Sequence, residues 1–376
     1  MAWSRRQFIH TTTVAAASGL LTARGREAGA VPVRQPGAAA AAASLMRLDS
    51  NENPVGPCPA AVAAIGDATR LSSIYPFRFE DALDGIRTRH DVSAGNVLAG
   101  CGSSEVLMNA VMAFTDERRA LVTPLPTFEE PARRARALGR PVHEVPVRAD
   151  LQVDLDGLLR HVAGAGLVFL CNPNNPTSVA LPSDDIRAFV ADAVKRSPDV
   201  VILIDEAYIE YADGHGVQSA VPLALSSPRV IVSRTFSKMY GMAGLRVGYA
   251  LGQDAELSRL ADYSVPMSVG TIGLHAVKAA LADTGFEARE RARNAEVRAF
   301  TVKRLEALGA KVPVSHANFL MADVGRDCTA FRDACRTQGI AVGRPFPPLT
   351  SHARISLGTM AEMARACEVF TAVLKA

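Results

Sequence analysis

The run 233–249, SRTFSKMYGMAGLRVGY, sets one lysine, Lys238, among small polar residues and glycines, with Arg246 eight positions on. Three chemistries suit such a lysine. It can be a surface cation, the common fate of the residue. It can meet a phosphate. Or it can be an amine nucleophile that forms a Schiff base with a carbonyl. The other polar groups of interest lie far off in sequence, yet each follows a short apolar run. Asp205-Glu206-Ala207-Tyr208 follows VVILI, and Asn172-Pro173-Asn174-Asn175-Pro176-Thr177 follows LVFLC. Cys101-Gly102-Ser103-Ser104 follows NVLAG, and Arg234-Thr235-Phe236-Ser237-Lys238 follows RVIVS.

Each group has a plain structural reading beside a chemical one. Asp205 can start a turn, but a carboxylate ending an apolar run is costly to desolvate unless something positive meets it. A protonated pyridine nitrogen would do so. Gly102-Ser103-Ser104 can be an ordinary helix cap. It is also a glycine turn feeding a helix N-terminus, where N–H groups and hydroxyls favour a phosphate. The NPNNPT run reads as a turn, Phe128 as core, and Arg246 alone as a surface arginine.

The elements that must position these groups follow from periodicity. Apolar runs at 96–100, 120–124, 167–171, 200–205, 229–233 and 247–251 read as buried strands. Helical patterns at 103–114, 126–139 and 182–197 lie between them. Runs without inside–outside alternation, separated by helices, imply an α/β fold with a mostly parallel central sheet covered on both faces. Ligands in such sheets bind beyond the carboxyl ends of the strands, where the polar groups above fall. Further on, 291–309 reads as a long helix ended by Gly309, and ANFLMADV and ARISLG read as strands of a smaller α+β unit. The expected division is 45–75 as an N-terminal segment joining the smaller unit, 76–285 as the large domain and 286–376 as the small one.

Composition narrows the function class. With 376 residues, 48% apolar, 21% charged and a formal charge of +3, the chain reads as globular and has no basic stripe for nucleic acid. Its six cysteines show neither C-x-x-C nor metal-ligand spacing. The first residues differ from the rest. Ser4-Arg5-Arg6-Gln7-Phe8, a short apolar stretch and Ala28-Gly29-Ala30 have the order of an export signal. Residues 1–30 resemble a twin-arginine (Tat) signal, which implies a periplasmic or secreted location, or a cytoplasmic one where the signal is not used, and no stable membrane anchor. Residues 31–44 read as a flexible spacer.

SRTFSKMYGMAGLRVGY, NPNNPT and DEAY, in their order and spacing, resemble the fold type I aminotransferases that depend on pyridoxal 5′-phosphate, closest to the histidinol-phosphate branch. The resemblance covers nearly all of 45–376. It implies that Lys238 forms the Schiff base with the cofactor and afterwards moves the substrate proton. It implies that Ser103, Ser104, Thr235, Ser237 and Arg246 bind the cofactor phosphate. By the same resemblance Asp205 keeps the ring nitrogen protonated, Tyr208 and Asn175 meet the ring hydroxyl, and Phe128 stacks on the ring. Gly241 and Gly244 are expected to let the backbone turn closely around the site. Arg354 and Asn318 match substrate-side residues, Asn53 is a further candidate near the substrate entrance, and Tyr75 matches a tyrosine that reaches the partner subunit's cofactor. A homodimer with shared active sites is therefore implied. The substrates implied are a small-molecule amino donor, an amino acid or histidinol phosphate, and a 2-oxo acid acceptor. A decarboxylase or cyclase on the same scaffold stays open, as does a strict histidinol-phosphate enzyme.

Two positions depart from the family pattern. GIAVGRP has Gly343 where histidinol-phosphate enzymes usually carry arginine, with Arg344 one residue later. On a strand, that shift turns the side chain to the other face. In NPTS, Ser178 stands where relatives have glycine.

Overall fold

The apolar runs become strands in chain order. The computed structural model describes residues 45–376 apart from Asp213 and His215, so the signal-like residues 1–30 and the spacer 31–44 lie outside the described residues. The strands are β1 (Met46–Leu48), β2 (Val97–Cys101), β3 (Ala120–Leu125), β4 (Val142–Pro146), β5 (Ala165–Cys171) and β6 (Val201–Asp205). They continue with β7 (Val230–Thr235), β8 (Val247–Leu251), β9 (Phe319–Asp323), β10 (Ile340–Val342) and β11 (His352–Ser356). Seven of them form one sheet in the order β2-β8-β7-β6-β5-β3-β4. All pairs are parallel except those of β8, which runs antiparallel to both β7 and β2.

Burial on both faces explains the continuous apolar sequence of the central strands. Alternate residues serve opposite cores. Leu167, Phe169, Val201, Leu203 and Ile231 pack with Val106, Leu107 and Phe114 of the helix Ser103–Phe114. Val168, Leu170, Ile202, Ile204 and Val232 pack with Ile186, Phe189 and Val190 of the helix Ser183–Arg196. Each fully buried side chain of this kind stabilises by roughly 1.5–3 kcal/mol relative to exposure. The sheet is therefore a stiff base for what its strand ends carry.

The antiparallel return of β8 matters for the site. A crossover helix after β7 would carry the chain away. Instead residues 236–246 fold back over the rim, so Lys238 and Arg246 stay near the end of β7.

A second apolar cluster gathers Leu48, Leu320, Phe331, Ile355 and Phe370. Here β9 and β11 pair antiparallel and β1 pairs with β10 in parallel. The helices Phe286–Glu306, Cys328–Thr337 and Met360–Lys375 cover them, the last opened by a capping box between Thr359 and Glu362. The segment 45–75 is divided between the cores rather than joined to the smaller one. β1 belongs to the second cluster, whereas Cys58 and Ala61 belong to the large one. Residues 45–376 form one compact unit, and none of its described helices is long and apolar enough to cross a membrane.

Candidate active site

Asp205 ends β6, and Cys171 ends the neighbouring β5 in register with it. The carboxylate is 3% exposed. The Cys171 thiol lies 3.9 Å from Oδ2, and Oδ1 has no hydrogen-bond partner. Burial pushes the Asp205 carboxyl up to about 7. A buried carboxylate with an unpaired oxygen is an incomplete arrangement. A cationic N–H donor would complete it and bring the carboxyl back to its ionised form.

Tyr208 follows on the loop after β6. Its hydroxyl accepts hydrogen bonds from Asn51 Nδ2 at 3.2 Å and Asn175 Nδ2 at 3.4 Å. Its ring meets Phe319 edge-on at 5.0 Å. Burial raises the phenol above its ordinary value, so it stays protonated. The sequence points to Asn53 as the candidate in this segment and gives no signal for Asn51. The structure reverses them. Asn51 adopts φ 55° and exchanges hydrogen bonds with Ser356 Oγ, at 2.8 Å from its N–H and 3.0 Å to its Oδ1, which aims its amide at Tyr208. Asn53 turns away and donates to Met239 O at 2.9 Å, bracing the residue after Lys238.

Lys238 Nζ donates to Ser50 O at 3.4 Å and lies 5.7 Å from the centre of the Tyr208 ring. Burial, then the Arg354 guanidinium, lowers its amine to about 8. Thus about a tenth of Lys238 is neutral, and nucleophilic, at pH 7, far more than for an ordinary lysine. Gly241 allows the turn that follows. It has φ 65°, and a Cβ there would lie 2.3 Å from the Gly56 carbonyl carbon. Gly244, expected to do the same, has open space around it and no positive φ. Of the two, Gly241 alone makes a close approach.

Hydroxyls and one guanidinium gather nearby. Ser103 and Ser104 open the helix Ser103–Phe114, whose cap Gly102 has φ 72°. Thr235 Oγ1 donates to Ser237 Oγ at 2.9 Å and accepts from Ser237 N at 3.1 Å. Arg246 takes the left-handed conformation and its carbonyl accepts from Gly102 N at 3.0 Å. A Cβ on Gly102 would lie 2.4 Å from Arg246 Nη2, so only glycine leaves the guanidinium its place. A helix N-terminus, hydroxyls and a forked cation make a phosphate cradle. These four hydroxyl residues and Arg246 line one cavity of about 370 Å³ together with Asp205, Tyr208, Asn175, Phe128, Lys238 and Arg354.

Arg354, on β11, donates to Asn175 Oδ1 and to Asp49 O, both at 2.7 Å, while its Nε is buried without a partner. Asn318 donates to Asn51 O at 3.1 Å and Glu52 O at 3.4 Å, so it acts through that segment and not in the cavity. Arg344 was expected on the opposite face of a strand. However, β10 stops at Val342, the alternation rule ends there, and Arg344 lines a chamber with Arg354. Tyr75 does not line the cavity. It is 67% exposed and stacks on Phe77 at 6.1 Å. The six cysteines are free, and no cluster of three or more metal-ligating residues occurs among the described residues.

Residues 43–370 match the family described as aminotransferase class I and II. The chain belongs to that family. It is 34% identical to a histidinol-phosphate aminotransferase from Anaeromyxobacter sp. (strain Fw109-5), over 89% of this chain and 92% of that enzyme. It is also 34% identical to an aromatic amino acid aminotransferase from Rhodococcus jostii, over 84% of this chain and 87% of that one. Its fold is similar to the crystal structure of histidinol-phosphate aminotransferase from Sinorhizobium meliloti in complex with pyridoxal-5′-phosphate. The TM-score is 0.83 with 28% identity, over 88% of this chain and 91% of the other. The chain is thus a transaminating enzyme that depends on pyridoxal 5′-phosphate. The residues present fit that group: Asp205 Oδ1 is buried without a hydrogen-bond partner, and four hydroxyls, a helix N-terminus and Arg246 converge on the same cavity.

Proposed function

We propose that this aminotransferase moves the amino group of an α-amino acid to a 2-oxo acid through two half-reactions, with pyridoxal 5′-phosphate held between Asp205 and the cradle of Ser103, Ser104, Thr235, Ser237 and Arg246. When bound, the cofactor supplies an aldehyde that exchanges amines and a ring that takes up the electron pair released at the donor's α-carbon. Asp205, ionised, holds a proton on the ring nitrogen. Tyr208, fixed by Asn51 and Asn175, offers its hydroxyl to the ring hydroxyl, and Phe128 supplies an apolar face. Lys238 is the linking amine and, once displaced, takes the proton from the donor's α-carbon. Arg354, whose guanidinium is held at the cavity wall by Asn175 and Asp49, receives the donor's carboxylate.

The observation that carries this reading is Asp205 Oδ1, buried without a partner beside a lysine whose amine is lowered to about 8. An α-amino acid donor is favoured over histidinol phosphate because Gly343 leaves no room for an arginine at that position, and Arg344, which lines the chamber instead, is paired with Glu129. A Cβ on Gly343 would lie 2.8 Å from Arg354 O and 3.1 Å from Arg354 Cβ. A donor screen tests it. Amino acids and histidinol phosphate are mixed singly with the loaded enzyme, and 2-oxo acid and the aminated cofactor are quantified. Stoichiometric 2-oxo acid from amino acids is expected. Release of CO₂ without 2-oxo acid would refute the reading.

Two further assignments belong here. The enzyme works as a C₂ homodimer in which Tyr75 reaches the partner's cofactor phosphate, a reading supported by the exposure of Tyr75 with Phe77, Val62, Val265 and Met267. Mixing Lys238→Ala and Tyr75→Phe protomers should restore part of the activity each lacks. Failure to restore any would remove the shared site. Residues 1–30 direct export by the twin-arginine route, supported by the Arg5-Arg6 pair. Changing both to lysine should retain the protein in the cytoplasm, and undiminished export would count against the route.

A further inference from the structure

The donor chamber has its own charge balance. A space of about 280 Å³ shares Phe128, Asn175 and Arg354 with the cofactor cavity and is closed by Glu129, Arg344 and Phe346. Both guanidinium groups lie against one ring. The Phe346 centroid is 4.2 Å from Arg344 Cζ and 4.8 Å from Arg354 Cζ. Two free cations here would draw in a donor with an anion at each end.

Glu129 changes that balance. Its Oε1 is 2.5 Å from Arg344 Nη2, while Arg344 Nη1 donates to Pro345 O at 2.9 Å. Glu130, beside it, is already paired with Arg133. Counting charges around the chamber, Arg344 cancels Glu129 and Arg133 cancels Glu130. Arg354 is left as the net cation. One cation matches one α-carboxylate. The rest of the lining, Thr127, Phe128, Asn175 and Phe346, is uncharged.

We infer that Glu129 is a specificity-determining residue: by pairing with Arg344 it removes the second anion site, so the chamber takes donors with one carboxylate and an uncharged side chain. This rests on Arg354 as the carboxylate site. The pair is half exposed and contributes little to stability. Its effect lies in the field it presents to the donor. Opening it costs little, yet a second anion entering the chamber meets the Glu129 carboxylate as well as Arg344.

The test uses loaded holoenzyme in wild-type form, Glu129→Gln, and Glu129→Gln with Arg344→Gln. Glu129 precedes the helix Glu130–Ala137 without capping it through its side chain, so the isosteric change leaves the fold alone. Binding of two unreactive probes is measured by calorimetry: maleate, with two carboxylates, and 3-phenylpropionate, with one carboxylate and a ring. Wild type should prefer 3-phenylpropionate. Glu129→Gln should tighten maleate by about five- to tenfold, the size of one charge contact in a partly wet site, and leave 3-phenylpropionate within about twofold. The second substitution should erase the gain. An unchanged ratio of the two affinities in Glu129→Gln, or a gain that survives loss of Arg344, would overturn the inference. If maleate responds to Glu129 as expected but no donor yields 2-oxo acid, the transamination reading fails and the charge assignment stands.

Discussion

Asp205→Asn should stabilise the cofactor-free protein and disable the loaded one. In the folded chain burial raises the carboxyl from 3.8 to about 7. Folded protein therefore keeps this proton up to about pH 7, while unfolded chain releases it near pH 4. Between those values the native state binds more protons, so its stability falls as pH rises and levels off above about 7. The whole displacement is worth roughly 4 kcal/mol. Asparagine is neutral at every pH and lacks the penalty. Thermal unfolding of cofactor-free wild type and variant, followed by circular dichroism, measures the difference. The variant should be more stable at about pH 8, and its advantage should shrink by roughly 2 kcal/mol on going to about pH 5.5. After loading, the order reverses in function: turnover should fall by about 10²–10³, as for the loss of one preorganised electrostatic contact. A cofactor-free variant less stable than wild type at pH 8, or an advantage independent of pH, would refute the claim that Asp205 awaits a cation.

Other substitutions probe separate parts of the site. Gly102→Ala puts a Cβ 2.4 Å from Arg246 Nη2 at φ 72°, ψ 164°; it should cost about 1–3 kcal/mol in backbone strain and weaken cofactor binding at least tenfold by equilibrium dialysis. Arg354→Gln should raise KM for amino acids by roughly 30- to 100-fold with a smaller effect on kcat, as expected when a charge-assisted contact common to ground and transition state is lost. Ser178 sits at φ 63° with a buried hydroxyl that has no partner. Ser178→Gly should therefore add about 1 kcal/mol of stability by denaturant titration, with turnover unchanged.

Much of this was legible in the chain because burial on both faces leaves a continuous signature. The runs at β5, β6 and β7 are apolar throughout since each residue meets one core or the other. Their ends are legible for the same reason, because a polar residue marks where the sheet stops. β4 lacks that signature: it is an edge strand carrying His143, Glu144 and Pro146, with His143 and Pro146 facing solvent. The direction of β8 has no periodic signal at all. Asn51 and Asn53 are equal candidates by type in LDSNENP, and only the pairing of Asn51 with Ser356, 305 residues away, separates them. The strand rule does not reach Arg344, because β10 ends at Val342. Glu129 gave no signal, since its partner is distant in sequence. Long-range contacts decide these positions, and local patterns carry no record of them.

The account depends most on the amine at position 238. Borohydride reduction of the freshly loaded enzyme, followed by proteolysis and mass spectrometry of the peptides, tests it directly. The cofactor's mass should be fixed to the peptide bearing Lys238 and to no other, and Lys238→Ala should carry none. Cofactor fixed to a different lysine, or wild type left unlabelled while it turns over, would contradict the account.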